Sequence, residues 1–77
     1  MRTWSAFTIR DGASVWSGGA HSVAEALESW AWAMHGHASF EGARHAMPGL
    51  ELDIVQVIPA NAYHGWRPVE VSAQVTL

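Results

Sequence analysis

A helix signal set between two strand-rich arms limits what this chain can fold into more than any other feature. Ser22, followed three residues later by Glu25, forms a capping box. Gly36 supplies a residue able to leave a helix in the left-handed conformation. Between them Val23, Leu27, Trp30, Ala31 and Met34 recur at helical spacing and make an apolar stripe. The spacing predicts a helix over residues 22–34.

Each arm reads as a hairpin. Residues 3–10 form a strand, and Asp11-Gly12 is a strong short turn signal. With Asp11 and Gly12 as the two loop residues, Phe7 faces Trp16 and Ile9 faces Ser14. Phe7, Ile9 and Trp16 then share one face. Gly18-Gly19 is expected to end the second strand. In the other arm, residues 50–58 are a β-branched run closed by Pro59, with Leu52, Ile54 and Ile58 on one face and Asp53, Val55 and Val57 on the other. Residues 69–77 alternate, pointing Val69, Val71, Ala73, Val75 and Leu77 inward and Glu70, Ser72, Gln74 and Thr76 outward. The connecting loop over 61–68 carries Tyr63, His64, Gly65, Trp66 and Arg67. Residues 36–49 admit two readings, a loop or a short helix over 39–46 with Ser39 as N-cap and Gly42 weakening it. Phe40 and Met47 are expected to pin this stretch to the core.

These elements sum to an α+β fold of ββαββ type, a four-stranded antiparallel sheet with one main helix packed on one face. Right-handed crossover makes 2-1-3-4 the expected strand order. The opposite sheet face would carry Ala6, Thr8, Val15, Val55 and Val57, covered either by residues 36–49 or by another chain. Seventy-seven residues fit one domain over 1–77. With no Cys, 49% apolar residues and five Trp, its stability has to come from apolar packing or oligomerisation rather than disulfides.

Several function classes read as excluded. The formal net charge is −3, and the four strong cations, Arg2, Arg10, Arg44 and Arg67, are scattered, so no basic stripe for direct nucleic-acid binding is expected. No signal-peptide core and no apolar run near the ~20 residues of a membrane span are visible, which predicts a cytoplasmic protein without membrane contact. No catalytic residue is assigned. Cys and Lys nucleophiles are absent, the serines lack a G-x-S-x-G context, Gly18-Gly19 is no phosphate loop, and Glu25 with Glu28 sits on an open helix face. The chain reads as a non-enzyme with no cofactor. His35-x-His37 with His45 nearby is a generic pattern without Cys, better read as solvated histidines beside a helix C-terminus than as a metal site.

Two groups stand out as partner-binding candidates. Trp32 lies about 180° around the helix from Val23, among Glu25, Glu28 and Ser29, at the ~100° per residue of an α-helix. It is either a binding anchor, since Trp is enriched at interface hot spots, or a residue covered by the segment that follows the helix. Trp66 with Arg67 offers an aromatic surface and a charge-assisted donor, or else covers the end of a small core.

The stretch Ser22-Val23-Ala24-Glu25-Ala26-Leu27-Glu28 resembles the helix start of HicB-type antitoxins, which also follows a β-hairpin; the preceding strand lacks that family's Pro-Gly segment. In its small, acidic, single-domain layout the chain also resembles phage-encoded inhibitors of bacterial defence, including anti-CRISPR proteins, with no specific motif to transfer residue by residue. The resemblance implies a protein that binds a larger protein and occludes it sterically, as a monomer or homodimer. The second reading is a self-associating structural or assembly subunit, or an antitoxin-like protein.

Overall fold

The chain folds, in a computed structural model that describes residues 4–60 and 67–77, into β1 (Ser5–Arg10), β2 (Val15–Ala20), α1 (Val23–His35), α2 (Phe40–Ala46), β3 (Glu51–Ile58) and β4 (Val69–Thr76). The strands form one antiparallel sheet in the order β2-β1-β3-β4, the order that right-handed crossover favours. Among the described residues, no helix is long and apolar enough to cross a membrane.

The β1–β2 hairpin corrects the expected register. Ile9 pairs with Trp16 and Phe7 with Gly18, a shift of the partner by two residues. Asp11 and Ser14 flank the turn: Asp11 N donates to Ser14 O at 3.0 Å, and Ser14 N donates to Asp11 Oδ1 at 3.2 Å. Gly12 and Ala13 are therefore the central residues. Gly12 has φ 87°, and no described non-glycine residue has positive φ. Glycine first at the centre is the requirement of a type II′ turn, whereas Asp11-Gly12 at the centre would force Asp11 to positive φ. A shift by two preserves strand alternation, so Phe7, Ile9 and Trp16 still share a face.

Gly18 and Gly19 lie within β2 rather than ending it. A Cβ on Gly18 would stand 2.6 Å from Trp16 Cζ2, and one on Gly19 would collide with the Trp4 indole. The two glycines thus seat one tryptophan on each face of the sheet, Trp16 on the helix side and Trp4 on the other.

Helix α1 begins and ends as its sequence signals require. Ser22 Oγ accepts from Glu25 N at 3.1 Å, and Gly36, at φ 68°, sends its N–H to the carbonyls of Ala31 and Trp32. Its buried residues are Ala26, Leu27, Trp30 and Ala31. Val23, expected in the stripe, is exposed, and Met34 is half-buried. The buried line is turned towards Ala26 and Ala31, whose small side chains let the helix approach the sheet.

Residues 36–49 also differ from the single-helix expectation. Phe40–Ala46 is a second helix, with Ser39 Oγ accepting from Gly42 N at 3.1 Å. The N-cap bond offsets the cost of the internal glycine. The arrangement is ββααββ. Helix α2 lies beside α1 on the same side of the sheet, with Ala43 buried in the core and Phe40 and Met47 packed against it. It leaves uncovered the opposite sheet face, which carries Ala6, Thr8, Val15, Val55 and Val57 as expected.

The core comprises Phe7, Ile9, Ala20, Ala26, Leu27, Trp30, Ala31, Ala43, Leu52 and Ile54. Trp30 is its largest side chain, edge-on to His35 at 4.9 Å and to Phe40 at 6.4 Å between ring centroids. His35 Nε2 lies 3.1 Å from Asp11 Oδ2, so the carboxylate that shapes the hairpin turn also ties down the end of α1.

Asp11→Ala removes both contacts and should destabilise the fold by about 1–2 kcal/mol, read as a lower urea midpoint at unchanged slope. Gly18→Ala forces Trp16 off its seat and should cost about 1–3 kcal/mol by the same measurement. An unchanged midpoint for Gly18→Ala would show that Trp16 does not rest on this glycine.

Candidate partner-binding surface

Trp32 lies on the outer face of α1, one turn before its C-terminus, and is 67% exposed, more than the other exposed large apolar residues among those described, Trp4, Val15, Val23, Val69 and Val71. Residue spacing explains the position: Trp32 follows the buried pair Trp30 and Ala31 by one and two residues, which turns its side chain away from the sheet. The segment after α1 does not fold back over it.

The two carboxylates expected beside Trp32 stand on the same helix face, and that of Glu28 serves the fold as well. Glu28 Oε2 accepts a hydrogen bond from Phe40 N at 2.9 Å. A carboxylate there satisfies one of the N–H groups left open at the start of α2 and favours the positive end of that helix. Glu28 therefore fixes α2 beside the Trp32 face. Glu25 is half-buried one turn nearer the N-terminus, where its backbone N–H is held by Ser22. Along the outer side of α2, Glu41 lies 3.5 Å from Arg44 and 3.6 Å from His45, an exposed cluster of both signs.

The second candidate group is not joined to the first. Arg67 is exposed just before β4, and Trp66 lies outside the described residues, as do Tyr63 and His64. β4 begins with Val69 opposite Ile58, at the end of the sheet away from the β1–β2 turn, whereas His35 ties the end of α1 to Asp11 at that turn. Trp32 and Arg67 thus stand towards opposite ends of the sheet.

Of the histidines raised as metal ligands, His35 faces Asp11 and His45 faces Glu41. Among the described residues, no three His, Cys, Asp or Glu side chains gather as a metal-binding group.

Sequence reasoning passed over Trp4. It is 53% exposed on the helix-free sheet face, above Gly19. The signal is present in the hairpin register: with Ala6 opposite Gly19, a residue two before Ala6 points to the same side and lies diagonally across from a position without a side chain.

Glu28→Ala should loosen α2 while leaving α1 in place. The expected loss is about 1 kcal/mol of local stability, or roughly fivefold faster amide exchange across 40–46, with α1 exchange unchanged. Hydrogen exchange by mass spectrometry reads both segments in one experiment.

The chain matches no protein-family model, and comparison with curated proteins and with solved structures returns no match.

Proposed function

We propose that this domain is a non-enzymatic protein-binding module that acts by covering part of a larger protein, with Trp32 as the centre of its contact surface. The observation that carries the reading is the 67% exposure of a tryptophan in the middle of a polar helix face. A large apolar ring held in water costs free energy that a partner's pocket recovers, and Trp is prominent among residues that dominate binding energy. The ring stands on a capped helix whose ends are fixed by Ser22 and Gly36, so little conformational freedom of the backbone is lost when a partner closes on it. Glu25 and Glu28 give the surface an acidic flank suited to a partner with basic groups around its pocket. Arg67, with Trp66, belongs to the same reading as a second and separate contact. An inhibitor made by a phage or mobile element that sterically occludes a larger protein, as the layout resemblance implies, is the specific form proposed.

Trp32→Ala should leave the fold intact, within about 0.5 kcal/mol of the parent as for most surface changes. It should weaken partner binding by at least about 2 kcal/mol, roughly thirtyfold. Tagged parent and variant are used as baits in source lysate, the proteins captured by the parent are identified by mass spectrometry, and affinity is measured with the purified partner. Equal affinity of a folded Trp32→Ala variant would remove Trp32 from the interface.

A further inference from the structure

The outer face of α1 brings three attractions for a positive charge to one place. Trp32 offers an exposed indole, and no described cation lies against it. Glu28 stands four residues earlier on the same helix face, a spacing that sets Cβ atoms about 6 Å apart. A helical side chain leans over the turn N-terminal to its own Cα, which carries the Trp32 ring towards Glu28. The carboxylate is already oriented: Oε2 accepts from Phe40 N at 2.9 Å, and Oε1 has no partner among the described residues. Trp32 also lies in the last turn of α1, at the negative end of the helix dipole. The chain's own cations do not answer these groups. Arg44 and His45 face Glu41, and His35 faces Asp11. Arg10 alternates onto the helix-free side of the sheet with Ala6 and Thr8, and Arg67 stands towards the other end of the sheet.

Resting on the reading of Trp32 as the contact centre, we propose that the group it receives is an arginine side chain of the partner protein. The guanidinium lies flat on the indole and turns its N–H groups to Glu28. Trp is the best ring for a cation–π contact, which acts within ~6 Å of the ring centroid. That reach matches the spacing of Trp32 and Glu28, so one guanidinium meets both. A planar guanidinium stacks on a ring and donates in its own plane to a carboxylate at the same time. A lysine ammonium is a compact, strongly hydrated point charge without that fork. Charge also decides against a purely apolar pocket. Closing one on Trp32 would strip water from Glu28 Oε1 and leave it unpaired, whereas a guanidinium replaces that water with a charge-assisted hydrogen bond. The formal net charge of −3 adds a long-range pull on such a group.

Chemical-shift mapping by NMR on the purified protein tests this at low salt. The probes are blocked tripeptides, Gly-Arg-Gly, Gly-Lys-Gly and Gly-citrulline-Gly, titrated through the millimolar range; citrulline keeps the plane of arginine without its charge. The arginine peptide should shift the Trp32 indole N–H and the amides of residues 28–36. Its Kd should lie at least about fivefold below that of the citrulline peptide, the size of an exposed cation–π contact, with the lysine peptide between them. Added salt should narrow the difference. Glu28→Gln keeps an acceptor for Phe40 N and should cut the preference for arginine over citrulline to less than about twofold. Trp32→Ala should abolish the shifts. Shifts that do not centre on Trp32, no shift at all, equal Kd values for arginine and citrulline, or an undiminished preference in Glu28→Gln overturns the proposal. The peptide comparison on the parent chain decides even if a variant does not fold. Affinity for the purified partner separates this from the Trp32 reading itself. Loss in Trp32→Ala with parent-like binding of Glu28→Gln keeps Trp32 as the contact centre and removes the guanidinium.

Discussion

Burial of the Trp30 indole is the contact on which the rest of this architecture depends. Trp30 is fully buried and meets the rings of His35 and Phe40, so one side chain joins the sheet-facing side of α1, its C-terminal end and the start of α2. From His35 the link continues to Asp11 and the hairpin turn. From Phe40 it continues through the backbone N–H to Glu28, back on α1. The indole Nε1 meets no acceptor among the described residues, at a cost of about 1–3 kcal/mol for an unmade buried hydrogen bond. A large ring buries 150–250 Å² of its own surface, which at ~25 cal/mol per Å² exceeds that cost. In a cysteine-free chain this small, volume at the centre of the core outweighs one unpaired donor.

Much of the fold was legible because its local signals are chemically unambiguous. Ser22, Glu25 and Gly36 marked the helix because a cap and a left-handed exit need those residue types. The alternation in residues 69–77 marked a strand, and crossover handedness gave the strand order. The hairpin register was misread because Asp-Gly satisfies two turn descriptions. The choice between them rests on whether Asp11 occupies the turn centre or accepts the Ser14 N–H, and here it accepts. The second helix stayed ambiguous because Gly42 argues against it locally, while Ala43 and Phe40 favour it only once the core exists. Val23 was assigned inward because helical spacing fixes which residues share a face, not how far the covered arc extends.

The candidate surfaces divide along the same line. The outward position of Trp32 follows from helical geometry alone. The bond from Phe40 N to Glu28 does not, because it depends on where α2 docks. On β4, alternation correctly gave the side on which Val69 and Val71 lie, but a strand's own pattern carries no information about whether a layer stands above it. That layer is set by the length and placement of α1, which packs over β2 and α2. Trp4 was missed because its diagonal contact with Gly19 depends on the hairpin register, which the Asp-Gly reading displaced by two residues.

The two polar ties at the ends of the core span very different lengths of chain. Asp11 and His35 are 24 residues apart, whereas the bond from Gln56 Nε2 to Ser5 Oγ joins groups 51 residues apart. The first closes the N-terminal hairpin and α1 into a unit by largely local steps. The second exists only when β3 has found β1. Because closure entropy grows with the length of chain enclosed, docking of the C-terminal arm carries the larger closure cost of the two, by about 0.6 kcal/mol for a doubling of length. The Ser5–Gln56 bond, at the margin where helical cover ends, marks its completion.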